Sequence, residues 1–215
     1  EVLDFGCGIG GVDILLATDH QAERVLGIDI EQPVLDRAIQ RAKDHGLTDK
    51  IEYMLVDNGP LPIEDDSFDV IFSKDVIIQV PDKPLLFQEF HRVLRPGGIF
   101  VAHDWLRSPA PETPELNKYL TAAEYEARMA TRDETRDWLE SAGFENVVLT
   151  DHTDWLLQDS LKTHERIIGP LEQQARDLIG DYRYERWVRI SNGLCGALAA
   201  RELHPTHMLA NKPTN

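Results

Sequence analysis

Cysteine and positive charge are both scarce in this chain. Its 215 residues include two cysteines, and 22 Lys and Arg stand against 38 Asp and Glu, which gives a formal net charge of −16. Because Cys7 lies within a glycine-rich stretch, we expect free thiols in a reducing, cytoplasmic setting rather than a disulfide framework. So acidic a chain repels phosphate backbones, which disfavours DNA or RNA as a partner.

Long hydrophobic runs are also lacking. No apolar stretch approaches the roughly 20 residues needed to span a bilayer, and the sequence has no signal-peptide pattern. With 42% hydrophobic and 28% charged residues, the composition predicts an ordinary globular protein. The chain opens directly on a predicted buried strand, so we expect that a natural N-terminal segment is missing from it.

Predicted strands and helices alternate through the first half of the chain. The strands are predicted at 2–5, 24–29, 51–56, 68–73 and 99–103. The helices between them are predicted at 12–20, 32–45 and 83–94. This alternation predicts an α/β fold with a doubly wound, mostly parallel sheet that carries helices on both faces.

The second half of the chain has a different pattern. It predicts a helix at 121–142, a sixth strand at 147–150, a helical cap at 151–200 and a seventh strand at 208–210. We therefore divide the chain into a core (1–150), a helical cap (151–200) inserted before the last strand, and a last segment (201–215) that returns to the core.

A glycine loop follows the first predicted strand. Its residues Gly6, Gly8, Gly10 and Gly11 permit a tight turn and let a ligand approach the backbone closely. Asp4 lies just before the loop, where it would repel a pyrophosphate and attract a cation. The pattern therefore favours a cationic ligand, such as a sulfonium, over a dinucleotide.

Two further acids end the next predicted strands. Asp29 ends the second strand, about 20 residues beyond the loop, where an acid can accept hydrogen bonds from both ribose hydroxyls. Asp57 ends the third strand, where its carboxylate can accept a hydrogen bond from an adenine amino group. Together the loop and the two acids predict a site for a ligand that carries a nucleoside.

These motifs as a set resemble the class I S-adenosylmethionine (SAM)-dependent methyltransferases. The resemblance covers at least residues 1–105 and rests on EVLDFGCGIGG, GIDIE, VDNGPLP, DDSFDVIFSKD and RVLRPGG. It implies a Rossmann-like, seven-stranded sheet, SAM as cofactor and S-adenosylhomocysteine as product. It also implies a set of cofactor-binding residues: Asp4, Gly6, Gly8, Asp29, Ile30, Asp57, Asn58 and Lys74.

Residues 73–83 resemble a narrower group, the phosphoethanolamine and sarcosine/dimethylglycine N-methyltransferases. This resemblance implies methyl transfer to a nitrogen of a small polar amine, with Asp75 holding the amine. A carboxylate suits that role because it stabilises and orients a cation. The implied acceptor or catalytic residues are Asp75, Gln79, Trp105 and Tyr119.

The chain departs from that group at several of these positions. Gln79 stands where the group has a catalytic histidine, and an amide cannot act as a general base. Trp105 replaces a tyrosine, and Ala123 stands where the group has a phosphate-binding arginine. These departures disfavour phosphoethanolamine itself as the acceptor.

Other functions are compatible with the same residues. The apolar stretch 76–80 suits O- or C-methylation of a lipid-like or natural-product acceptor, and the loss of the histidine suits a non-catalytic SAM-binding partner protein. His91 and His103 are interpreted as structural. No metal site is predicted, because the sequence has neither an HxH nor an HExxH pair. Homo-oligomerisation is compatible with the sequence.

Overall fold

A computed structural model describes residues 1–110 and 113–214. Its seven strands form one sheet in the order β3-β2-β1-β4-β5-β7-β6, and the pairs formed among β1 to β5 are parallel. The strands are β1 (Val2–Phe5), β2 (Val25–Asp29), β3 (Ile51–Leu55), β4 (Phe68–Lys74), β5 (Leu94–Arg107), β6 (Glu145–Asp151) and β7 (Leu203–Asn211). The predicted doubly wound α/β fold is confirmed.

The helices lie between these strands in the order that the sequence predicts. Those of the first half are α1 (Gly11–Thr18), α2 (Gln32–Asp44) and α3 (Lys83–Val93), with a 3-10 turn at Ile77–Gln79 before α3. Those of the second half are α4 (Pro114–Ala123), α5 (Arg132–Ser141), α6 (Thr153–Ile168), α7 (Glu172–Ile179) and α8 (Asp181–Ala199). Helices α6 to α8 come before the last strand in the chain, where a helical cap was predicted.

Apolar side chains on both faces of the sheet explain why these strands form. Leu3 and Ile71 are fully buried on one face of neighbouring parallel strands and Val25 is buried on the other face, as the helix-covered sheet of an α/β fold requires. On α3, Phe87 and Phe90 are also fully buried, with their ring centroids 6.2 Å apart. Burial of such aromatic side chains contributes strongly to the stability of the core.

The chain divides into two compact units. The first comprises residues 1–104, 133–149 and 207–215, and the second comprises 105–132 and 150–206. Residues 105–132 thus group with the helical unit, whereas the sequence-based division assigned them to the core. Each unit contains one of the two cysteines, Cys7 in the first and Cys195 in the second, and both are buried free thiols.

The predicted helix 121–142 is wrong, because the structure has two helices there. Helix α4 ends at Glu124, which adopts a left-handed conformation with φ of 56° and donates its N–H to Leu120 O and Thr121 O. A residue in that conformation turns the backbone off the helical path. The last strand is also longer than predicted, with nine residues in place of three.

Candidate active site

The glycine loop between β1 and α1 is tied to the end of β2. The backbone N–H groups of Gly6 and Cys7 both donate to Ile28 O, at 2.8 and 3.0 Å. A Cβ on Gly6 would lie 2.3 Å from Val76 Cγ2, so this position excludes any side chain. Gly8 has a φ of 56° and open space around it, so its glycine is favoured by backbone conformation and not by crowding.

Asp29 at the end of β2 orients toward this loop. Its Oδ2 accepts a hydrogen bond from Gly8 N at 3.0 Å, and its Oδ1 accepts one from Glu31 N at 3.1 Å. Each carboxylate oxygen can accept two hydrogen bonds, so both oxygens keep capacity for a further donor. The glycine loop and this acid are therefore in direct contact, and the role of Asp29 as a ribose acceptor stays a prediction.

A cavity of about 280 Å³ lies at the carboxyl ends of β1 and β2. Four predicted cofactor residues line it, namely Gly6, Asp29, Ile30 and Asn58, and Gln79 lines it as well. The remaining lining side chains are mostly aliphatic, including Val34, Val56, Val76 and Val80. A largely apolar slot lined by two acids and two amides fits the adenosyl part of SAM, which needs an apolar surface for its base and acceptors for its ribose.

A larger cavity of about 460 Å³ lies at the opposite ends of the strands. It is lined by charged side chains that pair with one another, among them Arg24 with Glu52 and Arg95 with Glu1. In open parallel sheets, ligands bind at the carboxyl ends of the strands. We therefore assign the candidate site to the smaller cavity.

Asp4 is not among the residues that line that cavity. It is 2% exposed, and Asp13, with no exposed surface, lies beside it. Burial, together with repulsion from Asp13, raises the pKa of Asp4 well above its ordinary value, and burial raises the pKa of Asp13 as well. Since a shared proton removes part of their charge, Asp4 offers a cation less attraction than its sequence position suggests.

Tyr53 on β3 lies beside the buried Asp13. A Cβ on Gly10 would lie 2.3 Å from the Tyr53 hydroxyl, and a Cβ on Gly27 would lie 2.8 Å from the ring and 3.0 Å from Asp13 Oδ2. Burial and the neighbouring Asp13 raise the pKa of Tyr53. Gly10 and Gly27 thus make room for Tyr53 and Asp13, although the sequence pattern suggests that Gly10 serves the ligand.

Asp75 lies just beyond β4 in a strained conformation. Its φ is 60°, in the left-handed region, which costs a residue other than glycine on the order of 1 kcal/mol. Its N–H donates to His103 O at 2.9 Å. Its carboxylate accepts from Lys74 Nζ through Oδ2, and its Oδ1 lies 2.8 Å from His103 Nδ1.

These contacts determine the charge of Asp75. Burial alone would raise the pKa of its carboxyl, but the hydrogen bonds from His103 and Lys74 outweigh burial and lower it. Asp75 is therefore a carboxylate at neutral pH, with about a third of its side chain exposed. Such a group can bind and orient an ammonium.

The 3-10 turn that carries Gln79 is held by Asp104. The buried Asp104 accepts a hydrogen bond from Ile78 N at 3.0 Å, and Gln79 N donates to Val76 O at 2.9 Å. These bonds direct the turn so that Val76 and Gln79 both line the cavity beside Gly6. Gln79, predicted from resemblance as an acceptor residue, therefore lies with the cofactor residues.

Trp105 and Tyr119, the other two predicted acceptor residues, belong to the second unit. Both pack against an apolar cluster in that unit, which consists of Leu116, Ala197, Leu198 and Leu203. A Cβ on Gly193 would lie 2.9 Å from Tyr119 Cα, so α4 and α8 approach closely there. Their role at an acceptor site stays a prediction.

The sequence interpretation assigned His103 a structural role, and the structure brings it against Asp75. The sequence could have indicated this contact. Parallel pairing of β4 with β5 matches Lys74 with His103, so the next residue, Asp75, comes close to His103. Residues at the carboxyl ends of adjacent parallel strands are neighbours. Asp57 and Lys74, in contrast, are not among the residues lining the described cavity.

The site has a glycine loop and an acid that can accept ribose hydroxyls, both at the carboxyl ends of a doubly wound sheet. This arrangement is typical of the nucleoside-binding class of α/β proteins. Within this class, residues 1–158 match the profile of a family described as a methyltransferase domain. The chain belongs to this family. The predicted class, a methyltransferase, is thereby confirmed.

Individual relatives agree with this assignment. The chain is 35% identical over 193 residues to phosphoethanolamine N-methyltransferase 1 of Triticum aestivum, a match that covers 90% of the chain and 37% of the relative. It is 29% identical to a sterol 24-C-methyltransferase of Gibberella zeae, covering 95% of the chain and 56% of that protein. The chain thus spans little more than a third of the first relative and about half of the second.

The fold also matches a solved structure closely. The phosphoethanolamine N-methyltransferase 2 of Haemonchus contortus, in complex with phosphomonomethylethanolamine and S-adenosylhomocysteine, superposes with a TM-score of 0.87 at 22% identity. The match covers 99% of this chain and 48% of that protein. The predicted resemblance to the phosphoethanolamine group is confirmed.

The described residues contain neither a membrane-spanning helix nor a metal-binding cluster. Within 1–110 and 113–214, no helix combines the length and hydrophobicity that a membrane span requires. The same residues contain no group of three or more His, Cys, Asp or Glu side chains placed to hold a metal ion.

Proposed function

We propose that this chain binds SAM in the cavity beside Gly6 and transfers its methyl group to a nitrogen of a small polar amine. One observation carries the choice of acceptor: the ionised Asp75 carboxylate already contacts an ammonium group, that of Lys74. An acid that holds a lysine ammonium can hold a substrate ammonium by the same interactions. The likeness to phosphoethanolamine N-methyltransferases supports the same acceptor class.

The cofactor-binding part of the proposal uses residues at the ends of β1 and β2. Asp29 would accept the ribose hydroxyls, the Gly6 backbone would allow close approach, and Asn58 with the aliphatic wall would enclose the adenine. When bound, SAM supplies a methyl group on a positively charged sulfur, which makes it reactive without further activation. Asp4 supports the loop from below, paired with Asp13, and does not contact the ligand.

The acceptor-binding part uses the end of β4. In this proposal the amine displaces Lys74 from Asp75 Oδ2, and the carboxylate orients the nitrogen. Alignment of two reactants can supply several kcal/mol of the barrier reduction, so little covalent help is required of the chain. Trp105 and Tyr119 remain proposed acceptor residues, as the family resemblance implies.

The test is formation of S-adenosylhomocysteine by the chain with a panel of acceptors. Ethanolamine phosphate, glycine, sarcosine and dimethylglycine represent amines, and several phenols, quinones and sterols represent the alternatives. Turnover of an amine, lost in Asp75→Asn and kept in the exposed control Glu23→Gln, supports the proposal. Turnover of phenols, quinones or sterols alone would overturn the amine assignment.

A second candidate is C- or O-methylation of a lipid-like acceptor. It is favoured by the aliphatic side chains of Val76 and Val80 in the cavity wall and by the sterol 24-C-methyltransferase relative. Asp75→Asn separates the two candidates, because a neutral lipid needs no carboxylate to hold it. Binding of S-adenosylhomocysteine without turnover of any acceptor would favour the remaining alternative, a non-catalytic SAM-binding partner protein.

A further inference from the structure

We propose that His103 is the base that removes the proton from the acceptor amine, and that Asp75 positions its imidazole for this step. The inference rests on the proposed function and deepens it, because it assigns the proton transfer that methylation of an ammonium requires. It also explains how the chain can do without a histidine at the position of Gln79.

The contact between the two side chains defines the state of the imidazole. Asp75 Oδ1 lies 2.8 Å from His103 Nδ1, and the Asp75 backbone N–H donates to the His103 carbonyl at 2.9 Å. A carboxylate at Nδ1 keeps the proton on that nitrogen, so the lone pair of the neutral ring lies on Nε2. This is the tautomer in which an imidazole acts as a base.

The surroundings of His103 combine a carboxylate partner with access to solvent. Charged and titratable groups near His103 include Asp75 and Lys74 at the end of β4 and His207 on β7, whose ring centroid lies 5.4 Å away. Asp75 is the partner of Nδ1 through Oδ1, and Lys74 contacts the other oxygen of the same carboxylate. The His103 side chain is 20% exposed, which allows its proton to reach solvent after each turnover.

The backbone of Asp75 supports the same interpretation. An aspartate held at a φ of 60° costs stability, and such residues persist mainly where the surrounding structure requires the geometry. Here the left-handed residue directs one carboxylate oxygen to His103 and the other to Lys74.

The step balances without any further reactant. An ammonium acceptor has no lone pair, so its N–H bond breaks first, the proton moves to His103 Nε2 and the electron pair stays on nitrogen. That pair forms the new N–C bond while the C–S bond of the sulfonium breaks and its electrons remain on sulfur. His103 then releases its proton to water.

The variant His103→Asn tests this assignment, since an asparagine amide can still donate to Asp75 but carries no basic lone pair. The control His20→Asn changes an exposed histidine away from the site. We expect His103→Asn to lower kcat for the best amine about 10²- to 10⁴-fold at pH 7, as removal of a general base does. The deficit should shrink as the pH rises and the free amine becomes abundant, and added imidazole should restore part of the activity.

Two readouts besides turnover complete the test. Calorimetry should give the same Kd for S-adenosylhomocysteine in the wild type and in His103→Asn, and ¹⁵N NMR should find the Nδ1–H tautomer of His103 in the wild type but not in Asp75→Asn. An equal loss of activity at every pH without imidazole rescue, or unchanged activity, would overturn the inference and leave the proposed function intact. A wild type that methylates no amine would overturn both.

Discussion

Asp4 and Asp75 are acids at the same end of two neighbouring parallel strands, β1 and β4, and their surroundings give them opposite charge states. Asp4 is buried beside another acid, and its pKa is raised. Asp75 lies between a histidine and a lysine, and its pKa is lowered although burial opposes this. The difference teaches that the partners of an acid, more than its place at a strand end, decide whether it can hold a cation.

The largest effect should come from removing the charge at Asp75. We expect Asp75→Asn to lower kcat/KM for the amine acceptor by about 10²-fold or more, because the neutral amide neither attracts the ammonium nor holds His103 as strongly. Steady-state kinetics measure this loss, and Asp4→Asn is the matched comparison. Since burial beside Asp13 raises the pKa of Asp4 and keeps it out of the cavity lining, a comparable loss of kcat/KM there would break the contrast.

The next largest effect should be a loss of stability caused by crowding at Gly10, beside the buried Tyr53 hydroxyl. Gly10→Ala should lower the free energy of unfolding by about 2–4 kcal/mol, because the new Cβ meets the Tyr53 hydroxyl and the residue keeps a left-handed φ. Urea unfolding measures the change. Gly10→Ala combined with Tyr53→Phe should recover about 1 kcal/mol, and recovery of nothing would show that Tyr53 is not the obstacle.

The buried pair should also give stability a specific pH dependence. An acid whose pKa is raised on folding stabilises the protein below its unfolded pKa of about 4, and that contribution is lost as the pH rises through the folded pKa. We therefore expect the wild type to lose stability as the pH rises above the unfolded pKa, and Asp13→Asn to lose less over the same range. Parallel stability curves for the wild type, Asp13→Asn and the control Glu23→Gln would contradict the raised pKa of the pair.

Asp75 should show the reverse sign with a smaller amplitude. Its lowered pKa gives a contribution that is present above the unfolded pKa of about 4 and is lost as the pH falls through the folded pKa. The stability difference between the wild type and Asp75→Asn should thus narrow in acid. Solvent screening keeps it small, because a third of the side chain is exposed. A difference that widens in acid would contradict the lowered pKa.

Features with strong local signals were predictable from the sequence. The alternation of buried strands with amphipathic helices predicted the fold, and the spacing from the glycine loop to Asp29 singled out an acid that the structure places against that loop. These signals are short-range or follow directly from parallel pairing. The resemblance to a known family then supplied the cofactor.

Other features depend on packing that the sequence pattern does not reveal. Neither Asp13 nor Tyr53 carries a motif, so their burial beside Asp4 and the resulting need for Gly10 and Gly27 appear only in three dimensions. The sequence also does not indicate the left-handed conformation of Glu124 and Asp75, because neither position has the glycine that usually signals it. The helix break follows from the conformation of Glu124, and the direction of the Asp75 carboxylate follows from that of Asp75.

The two buried cysteines can report local opening of the chain, because each lies in a different unit. Burial raises the pKa of both Cys7 and Cys195, so neither is a reactive thiolate while its surroundings stay closed. Because one lies in the glycine loop and the other in α8, pulsed alkylation followed by mass spectrometry would time the opening of each unit separately. No engineered label is required.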